Sequence, residues 1–161
     1  GVGLISIDNL VTGFEAFPNL NITHADIVNI DKKLAPFLVS YFGELLSGLY
    51  FPDIKYVFEG SYIDFETVIP YLQKQRGSRI EIIGLTCNQL SEEELFNCIR
   101  KYDSKYDWTT RRNDEELKLV VHDLMELNHD FTNKFNEYHI KSYDTSLNRE
   151  EVFEKILAEL P

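Results

Sequence analysis

Four short apolar runs, each stopping on polar residues, alternate along this chain with longer segments whose apolar residues recur at helical spacing. That alternation leaves few folds open. Strands separated by helices connect through right-handed crossovers and lie parallel, so the pattern predicts an α/β protein: a three-layer parallel sheet with helices on both faces. The run Lys55-Tyr56-Val57-Phe58-Glu59-Gly60 is the clearest strand. It is apolar and β-branched or aromatic in its middle, follows Pro52-Asp53 and halts on a carboxylate and a glycine, as a strand buried on both faces would.

The other elements follow in order. Gly3 to Asp8 reads as a brief strand ending in an acid, with Asn9-Leu10-Val11 turning toward a short helix. Thr23 is placed to cap a helix carrying Ile27, Ile30, Leu34, Leu38, Tyr41 and Leu45 up to about Gly48, kinked or split at Pro36. Asp64 can cap a helix with Phe65, Val68, Ile69 and Leu72 on one face, ending before Gly77 with Pro70 as an irregularity. Arg79 to Leu85 is the third strand. Ser91 with Glu94, and Asn113 with Glu116, have the spacing of capping boxes. The first opens a helix with Leu95, Phe96, Cys98 and Ile99; the second opens a long one striped by Leu117, Val120, Val121, Leu124, Leu127, Phe131 and Phe135. Between them, 102–112 has no apolar period and reads as a loop. Ile140 to Asp144 is a fourth strand, and a last helix carries Val152, Phe153, Ile156, Leu157 and Leu160.

Length and charge narrow the function classes. A chain of 161 residues suits one domain over 1–161 with its own core. The formal net charge of -11 opposes sequence-independent nucleic-acid binding, because no basic cluster exceeds Arg111-Arg112 or Lys32-Lys33. Cys87 and Cys98 lack the short spacing of a zinc or redox motif and read as free thiols of a reducing compartment. No segment is apolar enough to span a bilayer and no leader pattern opens the sequence, so a cytoplasmic protein without a membrane partner is expected.

Chemistry is expected where strands end. Asp8, then Glu59-Gly60-Ser61, then Thr86-Cys87-Asn88, then Asp144-Thr145-Ser146 would share one edge of a parallel sheet, where ligands of open α/β folds bind. Asp8 and Glu59 together could hold a hydrated magnesium ion, or one could take a proton from an attacking hydroxyl. Arg111 and Arg112, in a polar loop before a helix, have the chemistry of a phosphate-clamping lid. His122, Glu126 and His129 fall three and four apart on one helix, a spacing that more often marks a solvated face than a metal site. His24 and His139 have no partner visible in the sequence, and Trp108 reads as an anchor for its loop.

The order of these motifs resembles the P-loop kinases of the nucleotide and shikimate kinase type, over nearly the whole chain. The resemblance rests on Ile7-Asp8-Asn9-Leu10, Phe58-Glu59-Gly60, Ile82-Ile83-Gly84-Leu85, the arginine-bearing loop and Tyr143-Asp144-Thr145-Ser146. It implies ATP- and magnesium-dependent phosphoryl transfer to a small molecule or nucleotide. It further implies that Asp8 contacts substrate or magnesium, that Glu59 ends a Walker B-like strand, that Arg111 and Arg112 serve the lid and that Thr145 and Ser146 lie near the nucleotide base. The family's phosphate loop, G-x-x-x-x-G-K-[ST], is missing, since no glycine here is followed by lysine. In the family that loop follows a strand lying between the Glu59 strand and the Ile82 strand. Three accounts stay open. The chain is the carboxyl-terminal portion of a longer kinase-like protein, inactive alone; or it is a non-catalytic interaction module, completed by self-association or a partner's strand; or it is another doubly wound enzyme such as a hydrolase, for which it lacks a Gly-x-Ser-x-Gly elbow.

Overall fold

A computed structural model describes residues 2–47, 55–75 and 80–160. The expected stops at Gly48 and Gly77, the Pro52-Asp53 turn and the strand start at Arg79 lie outside them. The chain divides into two compact units, Gly1–Ile80 and Glu81–Pro161. Among the described residues it is an α/β protein of six α-helices and two small parallel sheets.

In the first unit, strand β1 (Val2–Ser6) runs parallel to β2 (Lys55–Glu59), with Leu4 opposite Val57 and Ser6 opposite Glu59. The expected burial of β2 on both faces is not observed. Gly3, Ile5, Tyr56 and Phe58 are half-buried, whereas Val2, Leu4 and Val57 are 69, 71 and 48% exposed. An unbroken apolar run conceals this alternation, because both faces of the strand carry apolar side chains. The inner face packs on helix α2 (Ile30–Ser47), where the Phe58 ring meets Phe42 edge-on at 4.6 Å and Tyr41 at 5.9 Å.

Helix α1 (Ile7–Phe14) begins as soon as β1 ends. Asp8 therefore sits in the first turn of a helix, not at a strand end, where its negative charge suits the helix dipole. Ile7 and Val11, four apart and fully buried, show why: helical period reaches back into residues whose Ile5-Ser6-Ile7 alternation resembles a strand. Helix α2 starts at Ile30, seven positions beyond the expected cap at Thr23, and Ile27 and Val28 are 71 and 83% exposed in the turns before it. Its buried stripe is Ile30, Leu34, Ala35, Leu38 and Phe42, and it runs on through Pro36 as one helix, not split there. Helix α3 (Val68–Lys74) is entered through a turn in which the buried Asp64 carboxylate accepts from the Thr67 amide at 2.7 Å. Pro70 falls in its first turn, where a missing N–H leaves no helical bond unmade.

In the second unit, β3 (Ile83–Thr86) pairs in parallel with β4 (Lys141–Asp144), Thr86 opposite Asp144. Helices α4 (Glu92–Tyr102) and α5 (Asp114–Glu137) both open with the expected capping boxes, Ser91 with Glu94 and Asn113 with Glu116. Between them, Trp108–Arg111 forms a 3-10 turn. Leu117 and Val121 bury the amino-terminal half of the α5 stripe, while Leu124 and Leu127 further along are 37 and 42% exposed. Gly84 lets β3 approach α5 closely: a Cβ there would lie 2.6 Å from the Phe135 ring. Helix α6 (Arg149–Glu159) follows β4 and returns Glu159 to Lys141 and the Tyr143 hydroxyl. No described helix is long and apolar enough to cross a membrane.

Candidate functional site

The ends of β1 and β2 gather the chemistry of the first unit. Asp8 is the second residue of α1, just past the end of β1, and Glu59 is the last residue of β2. Burial, and then the charge of Glu59, push the Asp8 carboxyl above the ordinary aspartate range, while His24 pulls it back. The two acids expected together are thus close enough to feel each other. Gly60, at φ +148°, makes their approach possible, because a Cβ at that position would stand 2.8 Å from the Ile7 Cβ.

His24 completes the group, and nothing in its sequence neighbourhood announced it. Its ring lies between Thr12 Oγ1, at 3.1 Å from Nε2, and the Tyr62 hydroxyl, at 3.3 Å from Nδ1. Its backbone amide donates to Glu15 Oε1 at 2.9 Å, and Thr23, the expected helix cap, instead donates its hydroxyl to the same oxygen at 2.7 Å. Burial, followed by the negative charge of Asp8, raises the Tyr62 phenol above its usual range, so it stays protonated as a donor. Partners twelve and thirty-eight residues away in sequence leave no local motif.

In the second unit, Thr145 and Ser146 stand at the end of β4 as expected, but their polar groups are occupied by the chain itself. The Thr145 amide and hydroxyl both donate to the Thr86 carbonyl, at 2.8 and 2.9 Å. Ser146 Oγ accepts from the Gln89 amide at 2.9 Å, and the Ser146 amide donates to Asp144 Oδ1 at 2.8 Å. Burial opposes charge on Asp144, yet hydrogen bonds from Ser146, Asn88 and Gln89 together hold its carboxyl below the ordinary aspartate range. Asn128 on α5 closes the same loop, accepting from the Cys87 amide at 2.7 Å and donating to Asn88 Oδ1 at 2.6 Å.

Arg111 and Arg112 are exposed, and the Arg112 guanidinium lies 5.6 Å from the centre of the Trp108 ring. Their loop is pinned by a residue the sequence did not single out. Arg100 on α4 donates to Asp114 twice, to Asp103, and to the carbonyls of Thr109 and Arg112, at 2.8 to 3.3 Å. A guanidinium fork making five bonds to four acceptors fixes the loop's path.

A separate open groove of about 510 Å³ is lined by Glu92, His122, Met125, Glu126, His129 and Asp130. His122 Nδ1 lies 2.8 Å from Glu92 Oε1 and Nε2 lies 3.6 Å from Glu126 Oε1, and the bond to Glu92, then the surrounding carboxylates, raise its pKa. Among the described residues, no group of three His, Cys, Asp or Glu is arranged to hold a metal ion, here or beside Asp8. No family model, curated protein or solved structure matches this chain.

Proposed function

We propose that this chain belongs to a P-loop-kinase-like protein that transfers a phosphoryl group from ATP, with magnesium, to a small-molecule or nucleotide acceptor, and that the chain by itself is inactive. The observation that carries the reading is the strand pairing. β1 pairs with β2 and β3 with β4, all parallel, as strands joined by helical crossovers in such a fold would. The exposed apolar face of Val2, Leu4 and Val57 adds support, as a three-layer fold would cover it.

Asp8 and Glu59 would suit magnesium better than a dehydrated metal. Two carboxylates, with no third His, Cys, Asp or Glu arranged beside them among the described residues, would suit an ion that keeps most of its waters. Bound there, magnesium would supply charge neutralisation for phosphate oxygens. The residues do not fit ATP's phosphates: with no Gly-Lys pair in the sequence, the amide cradle and lysine would have to come from another segment. The first unit would then hold the acceptor beside Asp8 and Glu59. In the second, Arg111 and Arg112 would act as lid cations, and Thr145 and Ser146 would shape the base site through backbone position more than through free hydroxyls. A cytoplasmic setting belongs to the same reading.

The test is whether coding sequence continuous with Gly1 on its amino-terminal side encodes a loop ending in Gly-Lys-Ser or Gly-Lys-Thr, and whether the protein containing it transfers phosphate from ATP. Tight ATP binding by the 161-residue chain alone would overturn the proposal. So would a loop-bearing protein that binds no ATP. The uncovered sheet face favours one second reading, an interaction module without catalysis, which predicts a stable complex or self-association in the absence of nucleotide.

A further inference from the structure

We propose that residues 101–112 form a binding surface for a single-stranded polynucleotide, whose bases stack on Tyr102, Tyr106 and Trp108 while its phosphates meet Lys101, Lys105 and Arg112. Of the four exposed aromatic side chains among the described residues, three stand in this segment, with Tyr102, Tyr106 and Trp108 at 73, 81 and 52% exposure. Each ring has a cation of its own. The Lys101 and Lys105 ammonium groups lie 4.9 and 4.8 Å from the ring centres of Tyr102 and Tyr106, and the Arg112 guanidinium lies 5.6 Å from that of Trp108. The first two pairs repeat in the sequence, as Lys-Tyr-Asp at 101–103 and again at 105–107. A ring with a cation beside it matches the repeating unit of a nucleic-acid strand, a planar base with one phosphate. One cation covers one face of a ring at most, and tyrosines this exposed keep the other face for a base.

The platform is held in place before any ligand arrives. Arg100 ties Asp103 and Asp114 to the Thr109 and Arg112 carbonyls, so the two ends of the loop meet at one guanidinium. Thr109, not Trp108, is the residue the loop buries, and its hydroxyl donates to Asp103. Asp107 accepts from the Ser104 amide at 2.7 Å. Both acids of the segment are thus engaged in its own structure, while Lys101, Lys105, Arg111 and Arg112 are exposed. Residues 100–112 hold five cations and two acids in a chain whose formal net charge is -11. The whole-chain charge opposes a polyanion at long range, but at physiological ionic strength charges beyond about 8 Å are largely screened. Contact is then decided by the local excess of cations. A duplex is the wrong partner, because its bases already stack on one another and its denser phosphates are repelled more strongly. A lipid surface is disfavoured because 101–112 contains no aliphatic side chain to insert. The proposal goes beyond the kinase reading and does not rest on it.

The experiment titrates the full 161-residue chain with a labelled oligothymidylate of about twelve nucleotides, read by anisotropy of the label and by the fluorescence of Trp108, the single tryptophan. The expected result is saturable binding with a Kd of about 1–100 μM, and quenching of Trp108 as a base stacks on it. Log affinity should fall against log salt with a slope of about -0.7 for each phosphate engaged. Tyr106→Ala should weaken binding at least about five-fold, Tyr106→Phe should retain it, and Lys105→Ala should make the salt slope shallower by about 0.7. These side chains are exposed and make none of the Arg100 bonds; thermal unfolding checks that each variant folds, and Tyr102→Ala replaces Tyr106→Ala if it does not. Absence of binding at low salt, a duplex bound as tightly as the single strand, or wild-type affinity in the folded tyrosine variants overturns the proposal. So does inorganic polyphosphate that binds as tightly as the oligonucleotide while Trp108 is quenched by neither. A blue shift of Trp108 on phosphatidylserine vesicles, without oligonucleotide binding, would assign the loop to a membrane surface and overturn it as well.

Discussion

Gly84→Ala tests the packing of the second unit at its tightest point. The added Cβ would sit 2.6 Å from Cδ2 and Cε2 of Phe135 and 2.8 Å from Cζ. Carbon atoms rest at about 3.5–4.0 Å, so the ring must retreat by roughly 1 Å. It has little room, because it stacks on Phe131 at 5.9 Å with the planes 9° apart, and its own carbonyl accepts the Ile140 amide at 2.8 Å where α5 turns into β4. Overpacking of this kind costs about 1–3 kcal/mol, against which replacing a strand glycine returns about 0.5–1 kcal/mol. The expected net loss is about 1–2 kcal/mol. Trp108, the single tryptophan, lies in the same unit, so its fluorescence in a urea titration reports the relevant transition. With a slope of about 1–3 kcal/mol per molar, the midpoint should fall by roughly 0.5–1 M. Phe135→Leu removes the far ring atoms and should absorb the new methyl, so the double variant should be more stable than the sum of the singles by about 1–2 kcal/mol. Strict additivity, or an unchanged midpoint in Gly84→Ala, would refute the close approach.

Gly60→Ala combines a φ of +148° with a 2.8 Å approach to the fully buried Ile7 and should cost about 2–4 kcal/mol, read by hydrogen exchange of the first unit; wild-type protection would contradict it. Arg100→Lys keeps the charge but loses the fork, so the 103–112 loop should lose about 2–3 kcal/mol of local stability and become open to trypsin at Arg111 and Arg112. Unchanged cleavage would show that the loop is held some other way. His122 has a raised folded pKa, so its contribution is fully present below the ordinary histidine value of 6.5 and is lost as pH rises through the folded value. Its NMR titration midpoint should lie above 6.5 and drop in Glu92→Gln, and an equal midpoint in both proteins would remove Glu92 as the cause.

Features that depend on neighbours along the chain can be read from the residues alone. Both capping boxes, the long α5, the four strands and the α/β alternation were legible because caps act over three residues and amphipathic stripes over one or two turns. Boundaries went astray where two local signals competed. The Gly3 to Asp8 strand gave its last two residues to α1, and Thr23 gave its hydroxyl to Glu15 instead of a helix. Which faces are covered was settled by packing: Leu4 and Val57, in runs read as buried strands, lie largely open, because burial depends on what packs opposite and not on the strand's own pattern. Tertiary structure also decided which polar groups are occupied, spending Thr145 and Ser146 on the β3–α4 loop and Arg100 on the loop that carries Arg111 and Arg112. The pairing of His24 with Tyr62 and Thr12 belongs to the same category. A hydrogen bond between residues far apart in sequence is set by where strands and helices bring them, and no spacing rule along the chain encodes it.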